Sequence, residues 1–305
     1  MPARAQLIER FVQEERISPR IRIEGFLLVA LGVKPLSLLT IPGELPDGEQ
    51  LGLQIDSRYR SRLQELEQQS WWQRTKWQLQ HLGQRPVTWK RQLVREAYQQ
   101  VVEESAGYQA LLYWARAFGL RTFFWEVRPT VREMYLFRSP SVEDELHELM
   151  AERLRIKEEL HKRATRSTPL ALLIYPEEQS PDYLAKLGRL LGYPSCCIQA
   201  YRDNRAGEVN VETRAAYELL SIPADKREPW AYFTKNFFPC SPDCEQAAGL
   251  GKHAFGELSV INHQLGQEYD QLLRENRDAV QSYPEVINQH LRQVTVRGQS
   301  FREQR

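Results

Sequence analysis

"RTFFWEVRPTVREMYLF" (121–137) decides the fold class. "RTFFWEV" and "REMYLF" are rich in aromatic and β-branched residues, and the "RPTV" between them carries a proline break. Runs of that kind bounded by turn residues pair as strands. Around them the pattern is different. "SVEDELHELMAERLRIKEELHKR" (141–163) is a strongly charged helix, with Ser141 placed to cap it and acids crowding its first turn, as the helix dipole favours. Residues 1–15 form an amphipathic helix carrying Leu7, Ile8, Phe11 and Val12 on one face. A Gln-rich helix runs from about Arg58 to Leu82, another from Trp89 to Phe118, and a third from Pro242 to Asn276. "EGFLLVALGVKPLSLLTIPG" (24–43) begins helix-like and ends extended. "PLALLIYP" (169–176) reads as a buried strand, "SPDYLAKLGRLLG" (180–192) as a short helix with its own Ser-Pro-Asp start, and 211–220 as a further helix.

The expected fold is therefore α+β or α/β: mostly helical, with a small sheet from 121–138 and 169–175, and cysteine motifs at helix N-termini. Three regions are expected: a helical N-terminal region with a basic Trp-rich segment (1–100), an α/β cysteine-motif domain (101–280) and a polar tail (281–305).

Composition narrows the function class. The chain has 305 residues, 42% hydrophobic and 27% charged, with a net charge of +1. That is ordinary for a globular protein and argues against a globally basic nucleic-acid binder. The longest apolar run, "FLLVALGV" (26–33), falls far short of the ~20 residues of a membrane helix. The N-terminal residues carry acids and no apolar signal core, so a cytoplasmic location with reduced thiols is the expectation.

Against that background the four cysteines stand out. Cys196 and Cys197 are adjacent in "GYPSCC", and Cys240 and Cys244 lie in "FFPCSPDC"; forty-two residues (198–239) separate the pairs. Clustering of all four in a reducing compartment signals a metal or redox site rather than a disulfide framework. Both motifs look like helix starts. Ser195 is placed to cap one helix, and Ser241 the other, with Pro242 at the first helical position. A first-turn cysteine is stabilised as thiolate, the form that binds metal or attacks. An iron–sulfur cluster accepts sulfurs from many directions and is the leading ligand. Zinc is the alternative, because C-x3-C suits it while adjacent cysteines point ~100° apart on a helix. Metal-free reactive thiols of a cysteine-dependent enzyme stand as a further alternative. His253, about two helical turns past Cys244, is an additional candidate ligand or proton donor. Nothing in the motifs names a reaction or substrate; redox or modification chemistry is the class they suit.

"LLGYPSCCIQAY" followed by "NFFPCSPDC" resembles the family catalogued as domain of unknown function 483, with its GYP-x-CC and PCS-x-x-C elements. Gly192, Tyr193, Pro194, Cys196 and Cys197 match the first element; Pro239, Cys240, Ser241 and Cys244 match the second. The resemblance spans roughly 100–275 and implies a shared site with no established reaction. More loosely, the pattern is similar to the cluster-binding CCG domain of heterodisulfide reductases. It departs from that domain in having no earlier cysteine and in ending on C-x3-C.

One other stretch carries a binding signal. Residues 68–95 contain no acid, and they interleave Arg74, Lys76, Lys90 and Arg91 with Trp71, Trp72, Trp77 and Trp89. Such a pattern suits phosphate neutralisation and base stacking by RNA or single-stranded nucleic acid. It equally suits an amphipathic helix whose indoles pack inward.

Overall fold

In this computed structural model the structure describes residues 2–68, 86–165, 168, 173, 175–207 and 209–303. The chain divides into two units: Met1–Ala30 with Leu36–Glu143, and Leu31–Pro35 with Asp144–Arg305.

The first unit is built on the hairpin that the aromatic stretch predicts. Strands β2 (Arg121–Arg128) and β3 (Val131–Phe137) pair antiparallel, with Phe123 opposite Tyr135. The third strand is β1 (Leu36–Ile41), the extended end of 24–43, which pairs antiparallel with β3 from Leu36 opposite Phe137 to Ile41 opposite Arg132. The order β1-β3-β2 puts β3 in the middle, and Met134, Tyr135, Leu136 and Phe137 are buried on both faces. Of the strand expected at 169–175, only Leu173 and Tyr175 are described, and neither is in a strand; the rest lies outside the described residues.

Helix α1 (Pro2–Val12) buries Ile8, Phe11 and Val12. Phe11 packs on Trp114 and Phe26 with ring centroids 4.8 and 5.3 Å apart. A π-helical stretch (Ile21–Leu27) continues into Leu28–Ala30. Helix α2 (Gly48–Gln68) follows β1. The single helix expected over 89–118 is two: α3 (Pro86–Tyr98), prolonged by a π-helical turn to Glu103, and α4 (Ala106–Ala117). Ser105 causes the break, because its hydroxyl caps α4 by accepting from the Tyr108 amide at 3.3 Å.

α5 (Pro140–Arg163) starts one residue ahead of Ser141, and the hydroxyl of Ser139 accepts from the Ser141 amide instead. In the second unit, a buried ion pair links Arg153 of α5 to Glu177, Nε to Oε1 at 2.7 Å. Helix α6 (Pro181–Leu190) has the Ser180 cap that its sequence predicts, and α7 (Ser195–Ala206) packs against it. Helix α8 (Val211–Ser221) is capped by Asn210. The helix expected over 242–276 begins at Glu245 and breaks at Asn262, whose backbone is extended. This gives α9 (Glu245–Ile261) and α10 (His263–Glu303), which pack on each other. Helical backbone therefore continues past residue 281. Ala247, Gly251, Ala254 and Leu258 form the buried stripe of α9. At Gly251 a Cβ would lie 2.2 Å from the Trp230 carbonyl oxygen, so only glycine admits that approach; Gly249 faces open space.

Among the described residues, no helix is long and apolar enough to cross a membrane.

Candidate metal centre

The first cysteine pair is placed by a tight helix-to-helix corner. α6 ends at Gly192, which sits in the left-handed region (φ +76°), and the Tyr193 amide donates to the Gly188 carbonyl at 2.9 Å. A Cβ at Gly192 would lie 2.7 Å from Cδ of Pro35, so both conformation and space require glycine. Pro194 is then extended and occupies the N-cap position of α7. Ser195 is the first helical residue and makes no side-chain cap bond, which corrects its expected role. Cys196 and Cys197 fall in the first turn, where unpaired amides and the dipole favour negative charge.

The second pair is held differently. The aromatic stretch before it is tied to α10: the Tyr269 hydroxyl donates to the Phe233 carbonyl at 2.8 Å, and the Asn276 amide to the Tyr232 carbonyl at 3.1 Å. Lys34, buried, donates to the Thr234 hydroxyl at 3.3 Å. Asn236 turns the chain with φ +59°, a conformation asparagine tolerates better than most residues. Phe237 then stacks on Tyr193 of the first motif with centroids 4.8 Å apart. Arg214 of α8 reaches across and donates to the carbonyls of Pro239 and Cys240, each at 3.1 Å. Residues 241–243 form a turn, closed by the Cys244 amide donating to the Ser241 carbonyl at 3.1 Å. Neither Ser241 nor Pro242 starts the helix. Cys244 is itself the N-cap of α9: its carbonyl accepts from the Ala248 amide at 2.9 Å, and its side chain makes no cap hydrogen bond.

These two constructions bring all four sulfurs within 4.8 Å of one another. Cys244 Sγ is 3.6 Å from both Cys196 Sγ and Cys197 Sγ, and the last two are 3.9 Å apart. The Cys240 amide donates to Cys197 Sγ at 3.4 Å, and Cys196 Sγ lies 3.5 Å from Oε1 of Gln246. Cys197 and Cys244 are buried, Cys196 and Cys240 half-buried. Burial pushes the Cys197 thiol well above its ordinary range, and it pushes Cys240 up to about 11. Burial also acts to raise Cys244, but the Ala247 amide and donation from the neighbouring thiols outweigh it and lower this group. The cluster thus has one sulfur, Cys244, shifted toward thiolate and two, Cys197 and Cys240, shifted toward the protonated thiol.

Among the described residues, the group of clustered metal-ligating side chains consists of these four cysteines. His253 is exposed on α9 and is not part of that group. Lys90 and Arg91 are exposed on α3, with Lys90 Nζ 5.7 Å from the Trp89 ring centroid. Arg74 and Lys76 lie outside the described residues. Arg214 was invisible in the sequence as part of the site. It is one arginine in an amphipathic helix, and no local pattern links it to a carbonyl 26 residues away.

Residues 145–277, which contain both cysteine motifs, match the model of a family described as "Protein of unknown function (DUF483)". An uncharacterised protein of Methanothermobacter thermautotrophicus is 38% identical over 88 residues, 29% of this chain and 48% of that protein. The chain thus spans about half the length of this curated relative. No solved structure matches.

Proposed function

We propose that Cys196, Cys197, Cys240 and Cys244 bind a single metal ion as a four-thiolate centre, with zinc the ion the site suits best. The observation that carries this is the spacing of the sulfurs. Four thiolates bound tetrahedrally at ~2.3 Å from one zinc stand about 3.8 Å apart. The three separations among Cys196, Cys197 and Cys244, 3.6–3.9 Å, bracket that value, and Cys240 lies within 4.8 Å of each of them. A cluster of several irons places an inorganic core between its cysteines, and a set lying wholly within 4.8 Å leaves little room for one. The adjacency of Cys196 and Cys197, which looks awkward for one ion, still leaves their sulfurs 3.9 Å apart.

The surroundings suit a centre with net negative charge. The amide of Cys240 donates to the Cys197 sulfur, and the Arg214 guanidinium sits on the carbonyls of Pro239 and Cys240. Four sulfur ligands close the coordination of zinc, so the ion organises structure and leaves no position for substrate. The reading is of a metal-stapled domain in which two distant motifs are joined at one focus. Its dependence on free thiols fits a reducing compartment such as the cytoplasm.

The experiment is metal analysis of anaerobically purified protein, with a visible spectrum and timed alkylation. About one zinc per chain, no visible absorption and slow alkylation at all four cysteines are expected. Several irons with visible absorption would restore the cluster reading. Absence of metal with rapid alkylation of Cys244 would point to a thiol enzyme.

A further inference from the structure

Beside the cysteine centre, α6, α7 and the turn at 236–238 enclose a cavity of about 150 Å³. Its walls are aliphatic on one side, from Leu184, Leu187 and Ile198, and aromatic on the other, from Tyr193, Phe237 and Phe238. Cys197 forms part of the wall, so the cavity and the four-sulfur cluster share one residue. Among the described residues that line it, none carries a formal charge other than by titration of a thiol or phenol. An ion entering it would lose its hydration with nothing to replace it. A volume of this size accepts a single six-membered ring.

Besides Cys197 and the Tyr193 hydroxyl, the lining has two polar exceptions. Tyr201 is one: its hydroxyl oxygen accepts from Arg205 through Nη2 at 2.9 Å and Nε at 3.3 Å, which fills its acceptor capacity and leaves its proton to donate. Asn236 is the other, held in the left-handed conformation at the lining. A residue kept in a sparsely populated conformation against a cavity is a feature that binding sites retain.

We infer that this cavity binds a small, neutral, planar aromatic molecule bearing one hydrogen-bond acceptor. The ring fits the volume and meets the edges and faces of three aromatic side chains, contacts worth more than area alone. The acceptor meets the Tyr201 hydroxyl or the Asn236 amide. Neutrality follows from the absence of a counter-charge. The inference stands on the cavity walls and does not require the cluster to hold metal.

The probe is acetophenone, which has one ring, one carbonyl acceptor and no charge, with benzoate as its charged counterpart. It is titrated into the full-length protein at known zinc content, with methyl-labelled leucine and isoleucine read by NMR. Saturable one-to-one binding, with the largest shifts at Leu184, Leu187 and Ile198, is expected. Benzoate should bind at least tenfold more weakly. Leu184→Trp, which fills the cavity from a half-buried position, should weaken acetophenone at least tenfold while zinc content stays unchanged. Absence of saturation, shifts centred elsewhere, or equal affinity for benzoate overturns the inference. The methyl map on unaltered protein decides the matter even if Leu184→Trp fails to fold.

Discussion

The two cysteine-bearing segments use nearly the same letters in opposite order, Pro194-Ser195 before Cys196 and Ser241-Pro242 after Cys240, yet they are built in different ways. In the first, the sulfurs belong to the frame of α7, and the corner at Gly192 fixes where that helix begins. In the second, one cysteine stands at the N-cap position of α9 and the other rides on a turn held from outside by Arg214 and by the sulfur of Cys197. A helix frame is complete without a ligand. A turn whose neighbours are thiols is completed by whatever joins those thiols. The difference teaches that the first segment presents its ligands and the second is gathered onto them, so the second should depend on the metal more strongly.

The largest expected effect breaks the gathering point. Cys244→Ser removes the sulfur that lies 3.6 Å from both first-segment cysteines. It should abolish stoichiometric metal binding, while serine, a preferred residue at the N-cap, preserves the start of α9. Metal analysis with far-UV circular dichroism checks both halves: metal lost, helix content kept.

Acid comes next. Metal must displace protons from thiols, and Cys197 is raised and Cys240 pushed up to about 11 by burial, so both are protonated near neutrality. Affinity therefore falls as pH falls. Each displaced proton contributes about tenfold per pH unit, so these two give roughly a hundredfold per unit below pH 8. A chelator competition series across pH 6–8 measures the slope. A slope near zero would mean that the thiols are already ionised and the second segment is preformed.

Arg214→Met tests the outside brace. It leaves the Pro239 and Cys240 carbonyls without their guanidinium donor and removes a positive charge from the anionic site. Partners that orient metal ligands typically matter by about 10–100-fold in metal affinity. A loss of that size in chelator competition, with fold retained, supports the account of the second segment; unchanged affinity contradicts it.

The smallest effects sharpen the first segment. Gly192→Ala forces a left-handed alanine against Pro35 and should cost about 1–3 kcal/mol of stability. Ser195→Ala should change stability by less than about 0.5 kcal/mol, because Ser195 is exposed and makes no cap bond. Denaturant titration of the two variants separates corner from cap. If Ser195→Ala were the costlier, the helix start would be the capped one its sequence suggests.

The hairpin at 121–137, the short helix at 180–190 with its Ser180 cap and the convergence of four cysteines were legible because each rests on a local pattern. The cap assignments at Ser195 and Ser241 were not. Serine is common both at N-caps and just beside them, and here a proline and a cysteine took the capping positions. The break at Ser105 was missed because apolar periodicity runs through it, although its hydroxyl is an ordinary cap. β1 joined the sheet from a stretch that reads as extended without naming a partner, since strand pairing across some hundred residues leaves no mark in either strand. Arg214 and the cavity beside Cys197 are likewise products of tertiary packing.

The central claim is that the four sulfurs close on one ion. X-ray absorption at the metal edge of protein purified without oxygen tests it most directly. The account predicts a zinc edge, four sulfur scatterers at ~2.3 Å and no metal–metal scattering shell. A short metal–metal shell at an iron edge, or fewer than four sulfurs around the ion, would contradict it.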